Sequence, residues 1–272
     1  MNNKLKGLVF LGVLLGTGAA MSGCATTHGA NGADDPLEPM NRVFYNFNDT
    51  LDKHILEPVA VKYKEYTPSP VRTGVTNFFN NLGYLNTVAN DFLQGKVKQG
   101  FGDSGRFVLN SSVGVLGLFD VATKWGLPRH EEDLGQTFGV WGMPQIAYLV
   151  IPLNGPSSVR DAPNLVTSSY LNPLFYASTI VAFPLGALQV INMRANLLQA
   201  TKVRDEAAID PYVFTRAAYE QKRRYEIYDG NPPSQGLDEF MEEDIGNGGG
   251  SSGKANGGKA KADKSGAALK IE

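Results

Sequence analysis

The stretch PVRTGVTNFFNNLGYLNTVANDF, residues 70–92, indicates the fold class. Its apolar side chains recur every three or four residues, at Val71, Val75, Phe78, Phe79, Leu82, Leu85, Val88, Ala89 and Phe92. This spacing is typical of one face of an amphipathic α-helix, because 3.6 residues complete a turn. Five asparagines lie between the apolar positions: Asn77, Asn80, Asn81, Asn86 and Asn90. A solvated helix surface is the simplest interpretation of these asparagines.

The same period extends to both sides of this stretch. Upstream, a second apolar stripe falls at Met40, Phe44, Phe47 and Leu51. Downstream, Asp210-Pro211 predicts a helix start, because Asp is a good N-cap and Pro is tolerated at the first helical position. Alternation typical of a strand is scarce, and its best candidate, 145–153, is bracketed by prolines at 144 and 152. The sequence therefore predicts a mostly α fold.

The segment Leu174–Ile191 is uncharged and almost long enough to cross a bilayer. It contains Pro184, which removes a backbone hydrogen bond and favours a kink. We therefore expect a kinked helical hairpin, buried or dipping into one leaflet, rather than a membrane span.

The N-terminus has the features of a secretory signal peptide over residues 1–23. Two lysines precede a short apolar run, which ends in small residues and the single cysteine, Cys24. The segment Met21-Ser22-Gly23-Cys24 resembles the lipobox of bacterial lipoproteins, in which the cysteine receives the lipid. Residue 25 is alanine instead of the aspartate that retains such proteins at the inner membrane. The resemblance therefore implies a lipid anchor on Cys24 and an outer-membrane location, in the periplasmic leaflet.

Composition divides the remaining chain into three parts. Residues 24–34 are small and polar, as in a lipidated tether, and 35–229 have the length of one helical domain. Residues 230–272 are rich in Gly, Ser, Lys and Ala, a composition that predicts disorder. After residues 1–23 are removed, 23 basic and 27 acidic residues remain, which gives no reason to expect nucleic acid.

Two motifs could carry chemistry. Gly102-Asp103-Ser104-Gly105 is similar to a serine-hydrolase nucleophile segment, but Ser104 would need a histidine base, and no histidine lies in a protease-like context. His130-Glu131-Glu132-Asp133 could supply metal ligands, although a solvated acidic loop is the simpler interpretation. The phosphate-binding Gly-rich loop of ATP-using proteins is missing from the sequence. We expect no enzymatic activity, no metal and no cofactor.

Several blocks carry a family resemblance. DPLEPMNRVFYNFND (35–49), NFFNNLGYLNTVANDFLQGK (77–96), GRFVLNSSVGVLGLFDVA (105–122), EEDLGQTFGVWGMP (131–144), PSSVRD (156–161) and DPYVFTRAAYEQKR (210–223) follow in order. Together they resemble the MlaA (VacJ-like) family of outer-membrane lipoproteins, over residues 34–229. The resemblance implies a ring of amphipathic helices and helical hairpins around a central polar channel. It also implies removal of mislocalised phospholipids from the outer leaflet. The implied partners are phospholipid, a trimeric porin and a periplasmic lipid-binding carrier.

The resemblance suggests two groups of functional residues. Arg160 and Asp161, in the PSSVRD block, are candidates for the lipid path, with a structural salt bridge as the equally strong alternative. The helix after Pro39 is expected to brace the channel, through Asn41, Arg42, Phe44, Asn46 and Phe47. Two alternative functions remain open: a structural porin-binding envelope lipoprotein without transport activity, and a lipid hydrolase that uses Ser104.

Overall fold

The structure is a computed structural model, and it describes residues 35–233. These residues form nine α-helices and one small sheet. The helices are α1 Glu38–Leu51, α2 Glu57–Tyr66, α3 Ser69–Leu93, α4 Val97–Ser112, α5 Val121–Lys124, α6 Leu134–Val140, α7 Asn164–Tyr170, α8 Thr179–Ala207 and α9 Pro211–Ile227; the strands are β1 Tyr148–Ile151 and β2 Gly155–Ser158. The prediction of a mostly α fold is confirmed. The predicted signal peptide, Cys24 and nearly all of the predicted tail lie outside the described residues.

Helices α1 and α2 are joined without a loop, through one π-helical turn at Asp52–Leu56. This turn lies just before Pro58, which cannot donate a backbone hydrogen bond. A guanidinium from α8 spans the π turn: Arg194 donates from Nε to Asp52 at 2.6 Å and from Nη2 to Glu57 at 3.2 Å. The irregular turn is therefore held by an ion pair from another helix.

Helices α3 and α4 form an antiparallel helical hairpin, as the family resemblance implies. Only residues 94–96 separate them, and Gly95 takes a left-handed φ of 77° that reverses the chain. The apolar period of residues 70–92 falls within α3, which confirms that prediction.

The predicted strand at 145–153 exists in shorter form, as β1, because Pro152 ends the ladder. Its antiparallel partner β2 pairs Tyr148 with Ser158 and Ile151 with Gly155. No feature of the sequence predicts β2. Its sequence, GPSS, lacks the β-branched and aromatic residues that favour strands.

The hairpin predicted for residues 174–191 is wrong. A short 3₁₀ turn at Pro173–Tyr176 is followed by one continuous helix, α8, that passes through Pro184. Pro184 lies close to the helix start, so it removes a single hydrogen bond, to the carbonyl of Ile180. Within the described residues, α8 is the one helix long and apolar enough to cross a membrane.

Contacts between the elements close into a circuit. Helix α1 packs on β1, β2 on α9, α9 on α6, and α6 on α3; α3 then packs on α8, α8 on α2, and the π turn returns to α1. The predicted start of α9 is confirmed, since Asp210 Oδ1 accepts from the amides of Tyr212 and Val213 at 2.9 and 3.3 Å. This circuit positions the polar groups described next.

Candidate functional site

The described residues have an inverted distribution of polarity. Buried polar and charged side chains outnumber buried hydrophobic ones, and six of them are almost completely enclosed: Asn41, Asn90, Asp91, Asp103, Thr137 and Ser158. A water-soluble domain normally buries Ile, Leu, Val and Phe, and exposes Asn and Asp. The interior of this protein is instead a polar network.

The exterior is correspondingly apolar. Ile180 and Phe183, in the first half of α8, are 87% and 77% exposed. Other large apolar side chains that are more than half exposed include Val97, Phe101, Val108, Val113, Leu116, Phe119, Trp125, Trp141, Ile146 and Leu153. Apolar surface of this extent marks contact with a membrane or a protein partner.

Asparagines of α3 form the centre of the polar network. Asn90 donates to the Asn86 carbonyl at 2.8 Å, and its own oxygen accepts from Thr137 at 2.8 Å. Asn81 donates to Ser111 on α4 at 2.8 Å. The interpretation of these asparagines as a solvated surface is therefore wrong for Asn81, Asn86 and Asn90, all of which are buried. Amide hydrogen bonds therefore join α3 to α4 and to α6.

Three buried carboxylates lie beside this network. Tyr84 and His130 both bond Asp103, at 2.7 and 2.9 Å, and Glu132 accepts from Lys96 at 2.8 Å. Burial, together with the neighbouring Asp103, raises the pKa of Asp91 from 3.8 to about 7. Glu132 is only 6% exposed, so the expectation of a solvated acidic loop at 130–133 is wrong for this residue.

Arg160 and Asp161 lie in a second buried charged cluster. Asp161 Oδ1 accepts from Arg160 Nε at 3.0 Å and from Arg223 Nη2 at 3.1 Å, and its Oδ2 accepts from the Tyr219 hydroxyl. Burial opposes ionisation of Asp161, but Arg223 and these bonds outweigh it and hold its pKa near 2. Arg223 also bonds both oxygens of Asp133, at 2.7 and 2.9 Å. The predicted pair is therefore part of a larger ion network.

The Nη2 atom of Arg160 differs from the rest of the cluster. It is buried and has no hydrogen-bond partner within the described residues. An unpaired buried donor on a cation is costly, so this atom marks where a further acceptor would be favourable.

The five residues of the predicted brace differ in burial and in bonding. Asn41 is fully buried and pairs with β1 as a strand would: it donates to the Tyr148 carbonyl and accepts from the Val150 amide, both at 2.9 Å. Arg42 bonds Glu38 and Asp210, at 2.7 and 2.8 Å. Phe44 packs against the small core around Tyr148 and Tyr212. Asn46 and Phe47 are exposed.

A second asparagine of α1, Asn48, repeats this contact. Asn48 donates to the Ile151 carbonyl at 3.0 Å and accepts from the Leu153 amide at 2.8 Å. Asn41 and Asn48 are seven residues apart, so they lie two turns apart on the same face of the helix. This seven-residue spacing is the sequence feature that places both asparagines on one face of the helix.

Ser104 does not have the geometry of a hydrolase nucleophile. Its hydroxyl donates to the Gly100 carbonyl within α4 at 2.6 Å. His130 bonds Asp103, the neighbouring residue, and not Ser104. A serine nucleophile needs a base within hydrogen-bond reach, and no side chain within residues 35–233 occupies that position.

Comparison with known proteins identifies the family of this chain. The family model described as MlaA lipoprotein matches residues 33–226. The chain belongs to the MlaA lipoprotein family. The "Intermembrane phospholipid transport system lipoprotein MlaA" of Escherichia coli K12 is 33% identical over 243 residues, which cover 86% of this chain and 95% of that protein. An uncharacterised protein of Rickettsia felis is 37% identical over 196 residues, covering 71% and 78%.

A solved structure from work on the "Structural basis for maintenance of bacterial outer membrane lipid asymmetry" also matches. Its TM-score is 0.63 at 32% sequence identity, and the match covers 73% of this chain and all of that one. The MlaA family blocks quoted above therefore fold as in a solved relative. They contain most of the buried polar residues, among them Asn41, Asn81, Asn86, Asn90, Asp91, Glu132, Thr137, Asp161 and Arg223.

Proposed function

We propose that this chain is an outer-membrane lipoprotein of an intermembrane phospholipid transport system. In this role it removes mislocalised phospholipids from the outer leaflet and so maintains lipid asymmetry. The observation that carries the proposal is the inverted distribution of polarity, with amides and ion pairs inside and large apolar side chains outside. The MlaA relative in E. coli bears the name of such a transport system.

The inverted distribution suits the physical problem of moving a phospholipid. The headgroup is charged, and it is costly to bring through hydrocarbon without hydrogen-bonding partners. A path lined by amides, hydroxyls and paired charges lowers that cost. The acyl chains meanwhile stay on the apolar side. The closed circuit of contacting elements supports a ring around such a path.

We also propose where the chain lies and which partners it binds. The thiol of Cys24 carries the lipid anchor, and the apolar exterior lies in the periplasmic leaflet of the outer membrane. An apolar helix face of this kind can lie in one leaflet without crossing the bilayer. A trimeric porin binds the chain at the membrane, and a periplasmic carrier of the Mla pathway receives the lipid.

Arg160 and Asp161 remain our candidates for the lipid path. Within residues 35–233, the Asp161 carboxylate bonds three side chains, whereas Arg160 has one hydrogen bond, to Asp161, and an unpaired Nη2 atom. Arg160 is therefore the member of the pair with capacity left for a phosphate oxygen. We assign Asp161 the role of positioning Arg160.

The decisive experiment measures outer-leaflet phospholipid in a strain that lacks the chain. Phospholipid should accumulate in the deletion strain, and the wild-type chain and Ser104→Ala should both restore the normal level. Cys24→Ala should fail, because the unanchored chain leaves the membrane. Loss of rescue by Ser104→Ala, at normal protein level, would instead favour a hydrolase. A chain that still binds porin while outer-leaflet phospholipid never changes would favour a structural lipoprotein.

A further inference from the structure

The loop between α4 and α5, residues 113–119, is apolar throughout. Its sequence is VGVLGLF, so seven consecutive side chains carry no polar atom. The two glycines are buried, whereas all five large apolar side chains are exposed: Val113, Val115, Leu116, Leu118 and Phe119. Apolar surface concentrated in this way marks a contact with a membrane or with a protein partner.

The two buried glycines hold the loop against α3 and α4. At Gly117, where φ is 91°, an added Cβ would lie 2.3 Å from the Asn81 side chain of α3. At Gly114, an added Cβ would lie 2.5 Å from the Asn110 carbonyl of α4. A Cβ atom cannot come so close to another atom, so glycine is what allows the backbone to pack here. The backbone of the loop therefore faces the protein.

The two residues between the glycines have a strained conformation. Val115 and Leu116 have φ values of 52° and 57°, in the left-handed region that branched side chains rarely adopt. Such strain persists only where the surrounding structure enforces it. Here the close glycine contacts enforce it, and Leu116 is left 64% exposed. Packing therefore holds the loop in the conformation that exposes its apolar side chains.

The backbone of the loop also forms its own hydrogen bonds. Six of its seven amides, at 113, 114 and 116–119, donate to carbonyls of the loop or of the last turn of α4, at 2.8–3.2 Å. Asn77 and Asn81 of α3 add longer contacts to the carbonyls of Leu118 and Leu116, at 3.4 and 3.5 Å. The loop therefore needs little water to satisfy its backbone.

We propose that the loop at 113–119 is a membrane-insertion element, whose side chains enter the hydrocarbon of a phospholipid leaflet. The inference rests on the proposed function, which places the chain at a membrane, and it adds the segment that enters. Hydrocarbon imposes two conditions on a non-helical segment: apolar side chains outside, and a backbone that is packed and bonded within the protein. This loop meets both conditions. A protein partner could itself bond the backbone, so the bonds within the protein favour lipid.

Fluorescence quenching by brominated lipid tests the insertion directly. The full chain is purified from membranes and reconstituted in vesicles of phosphatidylglycerol and phosphatidylcholine, with bromine on the acyl chains of the phosphatidylcholine. The sequence has two tryptophans, Trp125 and Trp141, and replacing both by Phe allows a single reporter to be introduced. Phe119→Trp should be quenched at least twofold more strongly than Tyr225→Trp. Tyr225 is the matched site, because it is an aromatic residue of the charged helix α9 and is 59% exposed.

A second variant separates the packed backbone from the apolar side chains. Gly117→Ala brings a methyl group against Asn81 at a strained φ, so it should displace the loop without removing an apolar atom. Quenching of the Phe119→Trp reporter should then fall about twofold. Gly102→Ala in α4 is the matched control, since its Cβ would meet nothing within 4 Å. Circular dichroism and a Phe183→Trp reporter verify that each variant is folded and bound to the vesicle.

Each outcome decides for or against the insertion. Strong quenching at 119 that Gly117→Ala reduces and Gly102→Ala does not supports it. Strong quenching that Gly117→Ala leaves unchanged overturns the role of the packed backbone. Equal quenching at 119 and 225, with strong quenching at 183, overturns the insertion alone, and a loop reporter that added porin then shields from acrylamide identifies a protein contact instead. No quenching at 119, 183 or 225 rejects the membrane location and the proposed function with it.

Discussion

Helices α3 and α8 are the two longest elements described, with 25 and 29 residues, and in both of them most of the buried residues are polar. In α3 the buried positions include Asn81, Asn86, Asn90 and Asp91. In α8 the apolar first half, 179–191, has no buried residue, whereas Asn192 and Arg194 in the second half are buried. In both helices most of the buried side chains are polar, whereas large apolar side chains such as Phe92 of α3 and Phe183 of α8 are exposed. Hydropathy alone would assign the opposite faces.

In this protein, different residues provide stability and contact with the membrane. Interior amides and ion pairs hold the helices together, so their loss should unfold the protein. Exterior apolar residues contact few protein atoms, so their loss should leave folding intact and weaken membrane binding. The four predictions below test this division, in order of decreasing effect on stability.

The largest effect is expected from Arg223→Met. Arg223 bonds Asp133 and Asp161, and all three lie in the buried or half-buried interior. Its removal leaves Asp133 without its cation and Asp161 with Arg160 alone, and breaking a buried pair costs about 3–5 kcal/mol. Urea denaturation in detergent should report this loss in the free energy of unfolding. Arg224→Met is the matched control, because Arg224 has no ion pair within the described chain. Equal losses in both variants would contradict the role of the network.

The second effect is expected from Asn41→Leu. Leucine is similar in size, but it leaves the Tyr148 carbonyl and the Val150 amide without their partner. Because an unsatisfied buried group costs about 1–3 kcal/mol, we expect a loss of about 2–3 kcal/mol. Asn46→Leu, on the exposed side of the same helix, should change stability by less than about 0.5 kcal/mol. A loss of similar size in Asn46→Leu would refute the assignment of these two faces.

The third prediction concerns pH. Burial raises the pKa of Asp91 from 3.8 to about 7, so between these values the folded state holds a proton that the unfolded state releases. Stability contributed by this group therefore falls as pH rises from about 4 to 7. The slope cannot exceed about 1.4 kcal/mol per pH unit for one proton.

Asp91→Asn should flatten this slope, because asparagine imitates the protonated form at every pH. Unfolding measured at about pH 5.5 and 6.5 should show a wild-type loss of about 1 kcal/mol that the variant lacks. The control is Glu206→Gln, whose side chain is 67% exposed, and it should behave as wild type. Parallel pH profiles for wild type and Asp91→Asn would rule out a proton on Asp91.

The structural features predicted correctly from the sequence are those that depend on residues close together in the chain. The apolar period of α3 and the Asp210 cap of α9 depend on neighbouring residues, and both predictions are confirmed. The family blocks also placed Asn41 and Arg160 among the candidate site residues, although their roles stay predictions.

The errors arose where a distant partner decides the environment. Asn86 and Asn90 have the spacing of a solvated face, but Thr137 and the loop at Glu132 cover them. Glu132 is buried because Lys96 and Gln99 come from another hairpin. The strand β2 has no strand-like sequence and exists because β1 and α9 lie beside it. A single sequence does not display such contacts.

The smallest effect on stability, with the clearest effect on membrane binding, is expected from Phe183→Ser. Phe183 is 77% exposed in the first half of α8. Substitution of so exposed a residue should change the free energy of unfolding by less than about 0.5 kcal/mol. Burial of a Phe side chain in an apolar environment is worth about 1.5–3 kcal/mol. The partition coefficient between water and phospholipid vesicles should therefore fall about tenfold or more, since 1.4 kcal/mol corresponds to a factor of ten.

Vesicle flotation of a Cys24→Ala chain isolates this contribution from any lipid anchor. The matched control is Val203→Ser, in the charged second half of α8, where Val203 is 58% exposed between Lys202 and Arg204. Both substitutions remove an exposed apolar side chain from one helix, so a general loss of hydrophobicity would affect them alike. If the uncharged first half alone enters the leaflet, Phe183→Ser weakens flotation and Val203→Ser does not. Equal partitioning of both variants would mean that this end of α8 stays outside the lipid, and the inverted surface would then have to serve a protein partner.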